Sequence, residues 1–300
     1  MGSRGSRLAL AQVEIVRALL PEIEIEPVLI RTSGDRGDRD VRGAFVKELQ
    51  QAVLDGRVDA ALHCLKDMPT DPIPGLSIAA YLEREDPRDV LISRGPDLPD
   101  LPAGAVVGTG SVRRTSQIAA FRNDLEYKRL VGNIDTRLRK LQEGEYDAIV
   151  LAIAGLNRLG AIDDWATGVF QDLTVWSLDE MVPCPGQAAL VFETRTENSS
   201  VIDLLSPLNH EATEAAVRAE RAFLAAFGGG CSLPIGAFAW SQDDALALTG
   251  WVSTVDGQRF ERPAGVGEIE DPEGLGRKIA GLVKDRAILE LLETRQREGV

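Results

Sequence analysis

Apolar and polar positions repeat along this chain in two stretches of the same design. One is FVKELQQAVLDGRVDAALHCL, residues 45–65, and the other is TRLRKLQEGEYDAIVLAIAGL, residues 136–156. Each predicts an amphipathic helix, a glycine stop, an Asp-Ala pair and then a fully apolar strand. Asp59 and Asp147 occupy equivalent places. Helix-then-strand units of this kind build parallel or mixed sheets covered by helices, so two copies predict two α/β domains of similar plan. The turn-rich stretch REDPRDVLISRGPDLPDLPAG separates them. Beyond residue 205 the pattern changes. HEATEAAVRAERAFLAAF places Ala216, Ala219, Phe223, Ala226 and Phe227 on one helical face and stops at Gly228. Short strands such as ALALTGWV follow, and then a single last helix over about 273–296, which makes a third, α+β unit. The expected division is 1–82 with 189–207 for the first domain, 88–183 for the second and 211–300 for the third.

Composition narrows the class. Hydrophobic residues make up 44% and charged residues 27% of 300 positions, the balance of a globular chain. No apolar run has the length of a membrane span, and MGSRGSRLALAQ lacks the long apolar segment of a secretory signal. Cys64, Cys184 and Cys231 are too few and too far apart for a disulfide framework, so a reducing cytoplasm is the expected setting. The net charge of −14 argues against nucleic acid as a partner. Against that background, residues 113–140 hold eight basic and three acidic side chains, a local excess that marks a candidate anion site. A solvated helix face is the simpler reading for Arg139 and Lys140.

Several strand ends carry chemistry. HCLKDMPTD puts Lys66 and Asp67 just past the first buried strand, where open α/β sheets bind ligands; from position alone, a surface ion pair explains them equally well. VVGTGSVRRTSQIAAF reads as strand, turn and helix, with Thr109 and Ser111 beside free backbone N–H groups and Arg113 and Arg114 as forks for carboxylate or phosphate. Its sixth position is Arg113 rather than glycine, so it is not a dinucleotide fingerprint. LVGNIDTRL and AGLNRLG repeat the design with Arg137 and Arg158. Arginines at three strand ends predict a ligand with several carboxylates, although each one alone fits interdomain salt bridging as well. His63 and His210 are the only histidines and no metal-binding spacing is present, so no metal is expected. His63, on an apolar strand, reads as a satisfied core residue. GGGCSLPIG spends three glycines on Cys231, which the residues alone leave as a buried small side chain.

These motifs together resemble the porphobilinogen deaminase family, the hydroxymethylbilane synthases. RGSRLALAQ, FVKEL, HCLKDMP, EREDPRDV, GTGSVRR, GNIDTRL, EYDAIVLAIAGLNRLG and GGGCSLPIG follow the family's order and spacing over nearly the whole chain. The resemblance implies two domains like type II periplasmic binding proteins plus a C-terminal α+β domain. It implies head-to-tail condensation of four porphobilinogen molecules to hydroxymethylbilane with release of ammonia, on a dipyrromethane cofactor. Cys231 aligns with the cysteine that holds this cofactor as a thioether, and Asp67 with the catalytic aspartate. Arg4, Ser6, Lys66, Thr109, Ser111, Arg113, Arg114, Arg137 and Arg158 align with residues that contact cofactor or substrate side chains. Gln187 falls in the hinge segment PCPGQAAL and has a structural role first. The implied protein is a cytoplasmic monomer with porphobilinogen as its partner and neither nucleic acid nor membrane.

The chain departs from the family in places. Val131 stands where an arginine is usual, and Arg129, two residues earlier and on the same face of a strand, is the expected substitute. Cys64 replaces a serine. The sequence starts close to Arg4, so either the first strand of the first sheet is missing or the start is assigned late. The alternative function, a small-anion binding protein on the same two-domain scaffold, explains the duplicated unit and the arginines but requires neither Asp67 nor Cys231. The acid excess, with only six lysines among 33 basic residues, fits a salt-rich cytoplasm in which screening relieves self-repulsion. We expect the folded state to persist in multimolar potassium chloride. Loss of its circular dichroism signal there would contradict that setting.

Overall fold

The computed structural model describes residues 1–36, 43–160, 170, 172–229 and 233–298. Its first sheet contains β1 (Gly2–Ser3), β2 (Val28–Leu29), β3 (Ala60–Cys64), β4 (Leu76–Tyr81) and β10 (Leu190–Arg195), in the order β2-β1-β3-β10-β4. Its second contains β5 (Asp89–Ser93), β6 (Val106–Gly108), β7 (Glu126–Lys128), β8 (Ala148–Ala152) and β9 (Thr174–Ser177), in the order β7-β6-β8-β5-β9. The two orders superimpose strand for strand. In each, three strands run parallel and a fourth is inserted antiparallel beside them: β10 against β3, and β5 against β8. The inserted strand is the one that has just crossed from the other sheet, so two chain crossings, near 82–88 and 178–189, join the halves. This is the two-domain plan of type II periplasmic binding proteins.

The duplicated units are present. Helices α1 (Arg7–Leu19), α2 (Ser33–Arg36) and α3 (Lys47–Leu54) accompany the first sheet. Helices α4 (Val112–Phe121), α5 (Ile134–Gln142) and α6 (Ile153–Arg158) accompany the second, and α7 (Ser199–Leu205) follows β10. The stops after α3 and α5 are Gly56 and Gly144, at φ +70° and +82°, a conformation that glycine adopts at little cost. β3 and β8 are buried along their first four residues, which is why both read as unbroken apolar runs.

Two expectations are corrected. The first strand is present: Gly2 and Ser3 pair in parallel with Val28 and Leu29, and Gly2 with Ala61, so two residues fill the position between β2 and β3. The last helix is two helices. The third unit consists of α8 (Glu211–Ala225), β11 (Ile235–Gln242), β12 (Ala245–Ser253), β13 (Phe260–Glu261), β14 (Ala264–Glu268), α9 (Pro272–Ala280) and α10 (Arg286–Glu298). The chain breaks after α9 because Glu261 accepts the N–H groups of Lys284 and Asp285, while Asp285 caps α10 through Ala287 and Ile288. Those side-chain partners satisfy groups that a continuous helix would have paired internally. Helix α8 carries Phe223 into the core with Leu248 and Ile279, and ends toward Gly228 and Gly229, both at positive φ.

The third unit is seated on the second. Trp251 stacks on Phe260 with centroids 4.4 Å apart and meets Phe121 of α4 at 6.4 Å. At the tip of the β12–β13 hairpin, Gly257 (φ +70°) lies so close to α4 that a Cβ would come 2.1 Å from the Ser116 carbonyl oxygen. Gly257→Ala is therefore expected to lift the hairpin off α4 and to cost about 1–3 kcal/mol. Scanning calorimetry should show a Tm several degrees lower; an unchanged Tm would show that the tip tolerates displacement.

Candidate functional site

The C-terminal ends of β3 and β8 face each other across a cavity of about 240 Å³. Its wall includes Arg4, Ser6, Gln12, Lys66, Asp67, Arg114, Arg137 and Arg158, contributed by both sheet domains. The sequence pattern places Lys66, Asp67, Arg114, Arg137 and Arg158 at strand ends or helix starts, the family resemblance adds Arg4 and Ser6, and Gln12 was not expected.

Each side chain is positioned by its local structure. Ser6 caps α1, its Oγ accepting the Ala9 N–H at 3.2 Å. Arg4 donates from Nη2 to Asp35 Oδ1 at 2.5 Å and lies 4.2 Å from the centroid of Phe45, which fixes its fork at the rim. Lys66 and Asp67 sit on a single 3₁₀ turn, Leu65–Asp67, pinned by fully buried Leu65 and by the Leu65 N–H bond to Ala189 O at 3.0 Å. Lys66 Nζ donates to Gln187 Oε1 at 3.3 Å. The Asp67 carboxylate has no hydrogen bond or ion pair to any side chain among the described residues. Opposite, Arg137 Nε donates to Gly132 O at 2.8 Å, and Arg158 Nη2 to Ala188 O at 2.5 Å. Ala188 holds φ +71°, a strained value for a non-glycine residue, in the crossing just before β10. Burial lowers the Arg158 pKa, against Cys64 and Glu85; an arginine stays charged at neutral pH even so.

Behind the wall lies a buried polar knot. Asp89, wholly buried at the start of β5, accepts from Arg114 Nε at 3.0 Å and Nη2 at 2.7 Å and from Gln187 Nε2 at 2.9 Å, and pairs with Arg113 Nη1 at 2.7 Å. Burial works against the charged carboxylate, but Arg113, Arg114 and Gln187 outweigh it and hold the Asp89 carboxyl well below the usual carboxylate range. Gln187 also donates to Pro87 O at 2.8 Å and so ties both crossings, Lys66 and Asp89 together. The structural role expected of Gln187 is thus visible. A second knot fastens the third unit. Glu220 on α8, with no exposed surface, accepts from Arg84 at 2.6 and 3.0 Å, from Gly186 N at 2.7 Å and from Ala239 N at 2.9 Å.

Other expected residues fall elsewhere. Arg113 lies against Asp89 and donates to Val182 O at 2.9 Å, and it does not line the cavity. Thr109 and Ser111 shape the start of α4 instead: Thr109 Oγ1 accepts the Ser111 N–H at 3.2 Å and Ser111 Oγ accepts the Arg114 N–H at 3.4 Å. Arg129 does share a face with Val131, but that face is exposed because Leu130 between them turns into the core; the structure does not bring Arg129 to the cavity. Cys231 lies outside the described residues. Burial raises the pKa of both other thiols, Cys64 and Cys184, so neither favours the thiolate at neutral pH.

Asp89, Glu220 and Gln12 were missed by sequence reading. The available signal for Asp89 was an acid opening the otherwise apolar strand DVLIS; for Glu220, an acid on the apolar face of α8.

The comparisons fit this geometry. Residues 1–203 match the family described as "Porphobilinogen deaminase, dipyromethane cofactor binding domain", and residues 215–285 match its C-terminal domain. The chain belongs to the porphobilinogen deaminase family. It is 42% identical to the porphobilinogen deaminase of Methylobacillus flagellatus, covering 93% of this chain and 92% of that one. With the Geobacillus kaustophilus enzyme the identity is 43%, covering 99% and 97%. Among solved structures, the periplasmic VFT2 domain of BvgS from Bordetella pertussis overlaps 67% of this chain and 76% of its own, at TM-score 0.40 and 16% identity, a likeness too slight to add to the strand order. Membership brings the family's transferase activity on porphobilinogen and its dipyrromethane cofactor.

Asp89→Asn would leave two buried guanidiniums without a countercharge, so a loss of about 3–5 kcal/mol is expected. The sign with pH follows from the depressed pKa. The parent carries this stabilisation in full above about pH 4, the unfolded value, and loses it as the pH falls further. Denaturant midpoints below pH 4 should therefore fall less steeply in the variant. Equal midpoints at pH 7 would show that the knot contributes nothing.

Proposed function

We propose that this chain joins four porphobilinogen molecules head to tail into hydroxymethylbilane, with Asp67 as the catalytic carboxylate and Cys231 as the thioether anchor of the cofactor. The observation that carries this reading is a carboxylate, Asp67, with no hydrogen bond or ion pair among the described residues, in a cavity whose other charged wall groups are mostly cationic. Dipyrromethane carries four carboxylates, an acetate and a propionate on each ring, and Arg4, Lys66, Arg114, Arg137 and Arg158 suit it. When bound, it supplies the terminal pyrrole carbon to which new units are added.

The chain's own residues then have separate tasks. The guanidiniums and Lys66 hold the acidic side chains; each charge-assisted bond contributes roughly 1.5–3 kcal/mol. Arg113, Thr109 and Ser111 act one step back, by fixing the start of α4 and the pose of Arg114. Asp67 faces the pyrrole nitrogen of the incoming unit as ammonia departs and positive charge develops there. A unit charge at about 4 Å and an effective dielectric of 20 is worth about 4 kcal/mol. Such a term counts toward rate to the extent that it is realised in the transition state. The raised pKa of Cys64 and Cys184 supports Cys231 as the thiol that traps the first electrophile. The three units divide the work: the first contributes the carboxylate, the second most of the anion contacts and the third the anchor. We propose that the chain acts as a monomer, and no helix among the described residues is long and apolar enough to cross a membrane. We place the reaction in the cytoplasm.

A binding protein would have no need of a bare carboxylate facing an acidic ligand. Intact-protein mass distinguishes the two. Chain incubated with porphobilinogen should gain a stable adduct of two pyrrole units, and Cys231→Ser should gain none. An unmodified parent chain, or an adduct that survives in Cys231→Ser, would overturn the assignment.

A further inference from the structure

Behind Asp67 the cavity continues into a pouch of about 40 Å³, enough for a water molecule. Its wall includes Asp67, Arg4, Gln12, Cys64 and His63. His63 is buried, and its Nε2 lies 3.1 Å from Glu193 Oε2; Glu193 is buried as well and accepts from Gln50 Nε2 at 3.0 Å. His63 Nε2 and Glu193 Oε2 are buried without a hydrogen bond among the described residues, and a histidine and a carboxylate kept so in a core are costly for packing alone.

The reaction offers a use. At each addition the substrate C–N bond breaks, with its electron pair leaving on ammonia. The methylene carbon then bonds to the terminal pyrrole α-carbon, and that carbon releases a proton as its C–H pair restores the ring. A base must take this proton and be cleared before the next addition. We propose that His63, beside Glu193, takes the proton from Asp67 through a water in the pouch and returns it by the same water to the ammonia released, which carries it away as ammonium, so that both groups are reset between additions. His63 acts through Asp67 and never touches substrate. The inference rests on the reading of Asp67 given above. The charged and titratable groups around His63 are Glu193 on β10, Cys64 on β3, Asp67 on the turn after β3, and Arg4 after β1; α1 and α3 bring the neutral Gln12 and Gln50.

With only two histidines in the chain, His63 can be followed directly by ring-nitrogen NMR. Its titration midpoint should fall in Asp67→Asn and in Glu193→Gln, because each removes a negative charge that favours the imidazolium. In His63→Gln, loaded with cofactor as checked by mass, ammonia release should slow about tenfold, its pH profile should shift, and added imidazole buffer should restore rate. A His63 midpoint indifferent to Asp67→Asn overturns the relay, as does a His63→Gln pH profile parallel to the parent's. If His63→Gln does not fold, the NMR comparison in Glu193→Gln and Asp67→Asn decides alone. A parent chain that never loads cofactor would instead overturn the underlying reading of the site.

Discussion

One buried carboxylate organises the cleft. Asp89 holds Arg113, Arg114 and Gln187 at once, and through them it joins the first strand of the second sheet, the start of α4 and the return crossing to the first sheet. A buried ion pair of this kind adds little net stability over an apolar cluster of the same size. Its value lies in geometry. Three segments distant in sequence are brought to one point, and Gln187 carries the constraint on to Lys66, the neighbour of Asp67. Glu220 does the same for the third unit, binding α8 and β11 to both crossings. The two acids that fix the frame are each held by several partners, while the acid assigned to chemistry has none among the described residues.

That contrast bears on function. An acidic chain must receive a ligand that grows more negative with each added unit. The cationic groups are concentrated at strand ends facing one cavity, while the acids that would oppose them are spent in pairs: Asp35 on Arg4, Asp89 on Arg113 and Arg114, and Asp135 on Arg7 at 3.0 Å across the mouth of the cleft. Arg7 and Asp135 are on α1 and α5, so this exposed pair joins the two domains at the rim and is weak enough to open.

Much of this was legible in the sequence. The repeated helix-glycine-strand unit predicted both sheets, because a strand buried on both faces leaves an unbroken apolar run and its helix ends on a glycine. The strand-end positions of Lys66, Asp67, Arg137 and Arg158 followed from the same pattern. Arg113 and Arg129 show its limit. Two adjacent arginines at a helix start look alike in sequence, and both bind Asp89, yet only Arg114 also lines the cavity. Arg129 sits on the face its spacing implied, but only the packing of Leu130 reveals that this face is solvent. The break between α9 and α10 depends on Glu261, more than twenty positions upstream of Asp285, and no local pattern encodes such a partner.

The account stands on the lone carboxylate. Its most direct test is single-turnover ammonia release by Asp67→Asn after circular dichroism has shown the variant folded and mass analysis has shown it carrying cofactor. The account predicts a rate about a thousandfold below the parent's, the equivalent of roughly 4 kcal/mol. A rate within a fewfold of the parent's would contradict it.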